Sequence, residues 1–215
     1  IEDMVNTLDW YDHGNRPYMR SLIGLGLCNF LLGSRIFKPE LLNESLTIFK
    51  KMLKLNPNDN QGVRYLIPDV YHKIGNYERA IKEYSTIIKT EGTEWNNDLC
   101  YNLALAYYKM SNTQNAEKWF REGIKHNIFK AIFILAQANT INFENEIINI
   151  FGEFDTENFW KMHWSKYNAA YDYTKWSWRS LWADAEDIHS MLKEVSERTN
   201  FLKKIYLNEL KLRKK

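Results

Sequence analysis

The chain has 215 residues, 45% of them hydrophobic and 26% charged, with a formal net charge of +2. That balance is ordinary for a globular protein and excludes a disordered, collagenous or strongly polyionic chain. The longest apolar run, Leu22 to Leu32, is broken by Gly24, Gly26 and Asn29 and is too short to cross a bilayer, so no membrane span is predicted.

Residues 2–12 put Met4, Leu8 and Tyr11 on one side and end at Gly14-Asn15, which predicts a short N-terminal helix within a segment 1–15. Asn15 then reads as the N-cap of a helix with Pro17 in its first turn, running to about Gly33 as a C-cap glycine. Pro39 opens the next helix, to about Leu55. The run Asn56-Pro57-Asn58-Asp59-Asn60 is a turn by composition, with side chains able to cap a helix over about 60–74. Gly75-Asn76 turns the chain into a helix at 77–90, Glu91-Gly92-Thr93 breaks it, and helices at 95–110 and 113–126 follow. Nothing after Pro68 is a strong helix breaker, so the second half is predicted to be almost continuous helix. A further helix is expected over 129–138, a less regular stretch over 139–155, and a last helix over 186–212 carrying Ile188, Leu192, Val195, Leu202, Ile205 and Leu210. Between them lies an aromatic block. Trp160, Trp164, Tyr167, Tyr171, Trp178 and Trp182 step by three, four and seven residues onto one helical face, with Tyr173 and Trp176 elsewhere.

Four positions recur at one spacing. Tyr71, Gly75, Ala80 and Tyr84 return 36 residues later as Tyr107, Ser111, Ala116 and Phe120. A period of that size marks a helical repeat array, in which each helix-turn-helix unit buries its open apolar face on its neighbour. Such arrays usually bind rather than catalyse.

These residues resemble the tetratricopeptide repeat, a helix pair of about 34 residues with small side chains where the helices touch. Leu103, Ala104, Tyr107, Ser111, Ala116, Phe120 and Gly123 fall on its spacing in the third repeat, and Ile67, Tyr71, Gly75, Ala80 and Tyr84 in the second. There Pro68 and Ile87 replace small residues, which predicts a kinked, slightly spread hairpin. Leu25, Gly26, Gly33, Ser45, Phe49 and Pro57 fit a first repeat if about seven residues are inserted around Ser34 to Leu41. The stretch Leu55 to Leu66 is also similar to one in uncharacterised bacterial tetratricopeptide proteins, some of which carry a Cys-rich zinc tail that this chain lacks. The resemblance implies an all-α, right-handed superhelical solenoid: an N-terminal helix (1–15), three hairpins (16–127) and an aromatic helical cap (128–215).

It also implies a concave groove lined by the first helix of each hairpin. The positions are Arg20, Ile23, Leu27 and Phe30; then Tyr65, Asp69, His72 and Lys73; then Asp98, Tyr101, Asn102, Leu105 and Tyr108. Family members that clamp a peptide's C-terminal carboxylate place Lys, Asn and Arg at positions that here are Ile23, Leu27, Leu66, Asp98 and Asn102. Those residues supply no cation, and Asp98 has the wrong sign, so that mode is excluded. The residues expected to meet a partner are Tyr65, Asp69, His72, Asp98, Tyr101, Asn102 and Tyr108. Tyrosine gives large contact area at little entropy loss and suits a peptide or helix. The competing occupant is the protein's own aromatic C-terminal face, which also needs burial.

Other chemistry is weakly signalled. Cys28 and Cys100 sit in apolar helical patterns and read as reduced core thiols in a cytoplasmic setting. Glu186-x-x-His189 has the spacing of a di-iron helix, but such sites need a second motif and further glutamates. His72 beside Asp69 resembles a base and its orienting carboxylate, with no nucleophile placed. No cofactor, metal or enzymatic role is predicted. Residues 196–215 carry seven Lys/Arg against Glu197 and Glu209. Binding of nucleic acid through Lys203, Lys204, Lys211, Arg213, Lys214 and Lys215 is therefore the alternative to a protein-binding scaffold.

Overall fold

The computed structural model describes residues 7–94, 97–137, 141–151, 163, 165–171, 200–201 and 203–212. Among these residues all the regular structure is helical. The helices are α1 (Arg16–Arg35), α2 (Pro39–Leu55), α3 (Leu66–Ile74) after a 3-10 turn Val63–Tyr65, α4 (Tyr77–Glu91), α5 (Asn97–Lys109), α6 (Thr113–His126), α7 (Ile128–Gln137) and α8 (Phe143–Phe151). Residues 165–171 and 203–212 are also helical. The all-α helical-repeat architecture expected from the pattern is the one observed. The chain forms two compact units, Ile1–Ile87 and Ile88–Lys215.

In the first unit α2 packs on α1 and on α3. Its buried residues Leu42, Ser45, Leu46, Phe49 and Met52 recur at helical spacing and form one stripe. The α1–α2 contact depends on missing side chains. A Cβ on Gly26 would lie 2.5 Å from the Phe49 ring, and one on Gly33 3.1 Å from Leu41, Leu42 and the backbone of Leu42. Gly33 is therefore a packing residue and not a C-cap; α1 runs on to Arg35. In the second unit Tyr101, Leu105, Phe120, Ile124, Phe129, Ile132, Leu135, Ile147 and Tyr206 belong to one buried cluster.

The recurrence extends from residue type to hydrogen bonding. Gly75 has φ 84° and ends α3, with Asn76 N donating to Tyr71 O at 2.9 Å; Ser111 has φ 58° and ends α5, with Asn112 N donating to Tyr107 O at 2.9 Å. Each asparagine then caps the next helix: Asn76 Oδ1 accepts from Arg79 N, and Asn112 Oδ1 from Asn115 N, both at 3.1 Å. Such caps contribute about 1 kcal/mol each.

Four local expectations are corrected. Residues 7–15 are not helical and turn over 10–15, because Asp9 and Asp12 accept from the backbone of Tyr11 and Gly14 at 2.9 Å. The helix expected from residue 60 becomes a 3-10 turn followed by α3 at Leu66. Pro68 has no N–H and its ring would clash with a preceding helical carbonyl, so it is tolerated only in a first turn, and no mid-helix kink arises. Asp59 holds the start of this segment: its carboxylate accepts from Val63 N at 2.8 Å, Arg64 N at 3.0 Å and Arg64 Nε at 2.9 Å. The stretch 139–155 contains α8, with Asn142 Oδ1 accepting from Asn145 N at 2.9 Å. Cys28 is exposed, whereas Cys100 is buried.

Ser111 in the left-handed region is strained relative to glycine, which costs about 1–2 kcal/mol for an L-residue. Ser111→Gly should therefore raise stability by about 0.5–1 kcal/mol once the added freedom of the unfolded chain is subtracted. Urea unfolding of the two proteins checks this; equal or lower stability of the variant would show that the turn carries no strain.

Candidate functional site

In the first unit the expected contact residues lie on and just before α3. Tyr65 closes the 3-10 turn and is half-buried. Asp69 and His72 are buried. The Tyr84 hydroxyl donates to Asp69 Oδ1 at 2.6 Å, tying α4 to α3. The His72 ring stands edge-on to Tyr77, 5.1 Å between centroids. Of the first-repeat positions, Phe30 is buried, Ile23 and Leu27 are half-buried, and Arg20 is exposed.

The second unit holds Asp98, Tyr101, Asn102 and Tyr108 on α5. Tyr101 is 0% exposed. Its hydroxyl donates to Asn127 O at 2.8 Å, its ring meets Phe120 edge-on at 5.3 Å, and it fills the space left by Gly123, where a Cβ would lie 2.7 Å from the ring. Asn102 is also buried. Tyr108 is half-buried, with its ring 5.1 Å from Phe201. In this structure Tyr101, Asn102, Asp69 and His72 are packing residues, and Tyr65, Asp98 and Tyr108 retain surface.

The C-terminal segments of this unit supply the aromatic packing. Tyr167 meets Phe129 at 6.0 Å and Phe133 at 5.3 Å, and Asn127 Nδ2 donates to Lys166 O at 2.9 Å. Burial first, then Tyr171, raises the Tyr167 hydroxyl above its usual range. Arg121 pairs with Glu117 and Glu209, and the Tyr206 hydroxyl donates to Glu146 Oε2 at 3.1 Å. Trp160, Trp164, Tyr173, Trp176, Trp178 and Trp182 lie outside the described residues, as do Glu186, His189 and Arg213 to Lys215. Lys203 is half-buried, and Lys204 and Lys211 are exposed.

One charged residue that the pattern did not single out is central to this unit. Lys130 on α7 is 2% exposed, and its ammonium meets Asp98 and Asn97 at the start of α5. Burial pushes its pKa down from 10.5 to about 7. The available signal was a lone cation in the apolar run Ile128 to Leu135. The Cys100 thiol, by contrast, is pushed up to about 12 by burial and then by Glu122, which leaves it protonated and unreactive at neutral pH. Among the described residues no group of three or more His, Cys, Asp or Glu is placed to hold a metal ion, and no helix is long and apolar enough to cross a membrane.

The tetratricopeptide-repeat family model matches residues 98–125, which span α5 and α6. No curated protein matches the chain significantly. The matched segment contains Tyr101, Ser111, Asn112, Ala116, Phe120 and Gly123, whose contacts form the hairpin described above.

Lys130 gives this unit a pH dependence whose sign follows from proton linkage. Its pKa is lower folded than unfolded, so between about pH 7 and pH 10 the unfolded chain binds the extra proton and stability rises with pH. Below about 7 the full cost of burying the charge is present. In urea titrations, the difference in stability between the wild type and Lys130→Met should shift in the wild type's favour by up to about 1.4 kcal/mol per pH unit across that window. A difference independent of pH would show that the amine titrates normally.

Proposed function

We propose that this chain, which contains a tetratricopeptide repeat, is a non-catalytic scaffold that binds a peptide or helix of another protein along the first helices of its hairpins. The family match over α5 and α6 carries the reading, since tetratricopeptide repeats commonly serve protein binding. The repeat array is taken as 16–127, between an N-terminal segment and a C-terminal aromatic cap.

The contact residues that retain surface support the same reading. Tyr65 by α3 and Tyr108 on α5 are half-buried, so each keeps part of its surface accessible while the rest is held. Held tyrosines lose little entropy on binding and are frequent hot spots. Asp98, whose side chain is 49% exposed and already paired with Lys130, adds an acceptor on α5. Tyr101, Asn102, Asp69 and His72 act by holding these helices in place.

A random-peptide display library selected on the wild-type chain tests the proposal. Enriched peptides should bind Tyr65→Ala or Tyr108→Ala at least tenfold more weakly, about 1.4 kcal/mol, with the circular dichroism of each variant matching the wild type at the assay temperature. No enrichment, or peptides that bind both variants as well as the wild type, would overturn it.

A further inference from the structure

The outer side of α1 carries an apolar face that nothing among the described residues covers. Leu25, Leu32 and Ile36 are 53%, 50% and 52% exposed, with Tyr18, Leu31 and Phe37 exposed beside them. Positions 18, 21, 25, 28, 32 and 36 step by three or four and share one side of the helix, away from Met19, Gly26, Phe30 and Gly33, which are buried. A contiguous patch of this kind on a protein surface marks an interaction site.

The repeat register shows what kind of body fits there. Leu25 and Gly33 of α1 correspond to Ile67 and Gly75 at α3, and on that offset Ser21, Leu25 and Cys28 correspond to Val63, Ile67 and Val70. The three α1 residues are exposed, whereas Val63, Ile67 and Val70 are 1%, 6% and 0% exposed. The element packed on α3 and on the turn before it is the amphipathic helix α2. The register positions that are buried at α3, an element packed on a helix, are thus exposed on α1.

Charge narrows the choice further. Helix α1 contains Arg16, Arg20 and Arg35 and no acidic residue. Arg20, Gly24, Leu31 and Arg35 form the stripe adjoining the apolar face, and both arginines are exposed. The opposite edge carries Glu44, whose carboxylate accepts from Asn29 Nδ2 at 3.2 Å. An occupant therefore needs acidic residues on the arginine edge and none on the other.

We propose that the outer face of α1 is a docking surface for an amphipathic α-helix of a partner protein, apolar along its centre and acidic along the edge that meets Arg20 and Arg35. The proposal uses neither Tyr65 nor Tyr108, and it stands or falls independently of theirs.

The probe is a synthetic peptide with the sequence of α2, residues 39–55, carrying Lys50→Glu, Lys51→Glu and Lys54→Glu; the unmodified α2 peptide is the comparator. The acidic peptide should bind the wild-type chain at least tenfold more tightly than the comparator, in a salt-sensitive manner. Binding should fall at least tenfold in Leu25→Gln/Leu32→Gln and in Arg20→Ala/Arg35→Ala. These positions are exposed, so circular dichroism and the thermal midpoint of the variants should match the wild type. Absence of binding, or equal binding to all three proteins, overturns the proposal. So does a wild-type dimer that Leu25→Gln/Leu32→Gln makes monomeric, which would assign the face to self-association. Binding to phosphatidylserine vesicles that the same variants abolish, without binding of the acidic peptide, would assign it to a membrane surface and overturn the proposal equally.

Discussion

Two helices of a hairpin approach closely where one of them offers a small side chain, or none, at the point of contact. Here that point is Gly26 against the Phe49 ring in the first unit and Gly123 against the Tyr101 ring in the second. Ala80 and Ala116, both fully buried, are the small residues of the second and third hairpins. Each large ring fills the hole opposite a small residue, and interiors packed this densely do not tolerate an added carbon without a shift elsewhere. The rest follows from that approach. With the helices close, the turn between them is tight enough to need a left-handed residue, Gly75 or Ser111, and an asparagine to cap the next helix.

Because the constraint is local, most of the array was legible in the sequence. The spacing of small and large residues, the Gly75-Asn76 turn and the proline at the start of α2 each act within a few residues, and the helices start and stop close to the places they indicate. What local signals missed depended on distant contacts or on competing ones. Helix α8 is rich in asparagine and isoleucine, which favour helix only weakly, and the burial of Ile147 in the cluster of the second unit supplies what propensity does not. Gly33 had the look of a helix terminator, but its role is set by Leu41 and Leu42 arriving from the next helix.

The candidate site was legible only as a set of positions. Register indicates that Tyr101 and Tyr108 lie on the first helix of a hairpin, and it says nothing of what covers them. Tyr101 is sealed by Phe120 and by Asn127, whose carbonyl accepts its hydroxyl, and Tyr108 is partly covered by Phe201, almost a hundred residues further along. Lys130 shows the same limit. Its burial against Asp98 and Asn97 joins α7 to the start of α5, a contact no short-range pattern announces. The tyrosines of the pattern thus divide between those buried within the hairpins and those that retain surface.

That division rests on Tyr101 being a structural ring in the space left by Gly123, and the stability of Tyr101→Ala tests it most directly. Removing a buried aromatic from a close-packed site costs about 3–5 kcal/mol, and urea unfolding of the variant should show a loss of that order. A loss under about 1 kcal/mol, the range of an exposed substitution, would place Tyr101 at the surface and contradict the account.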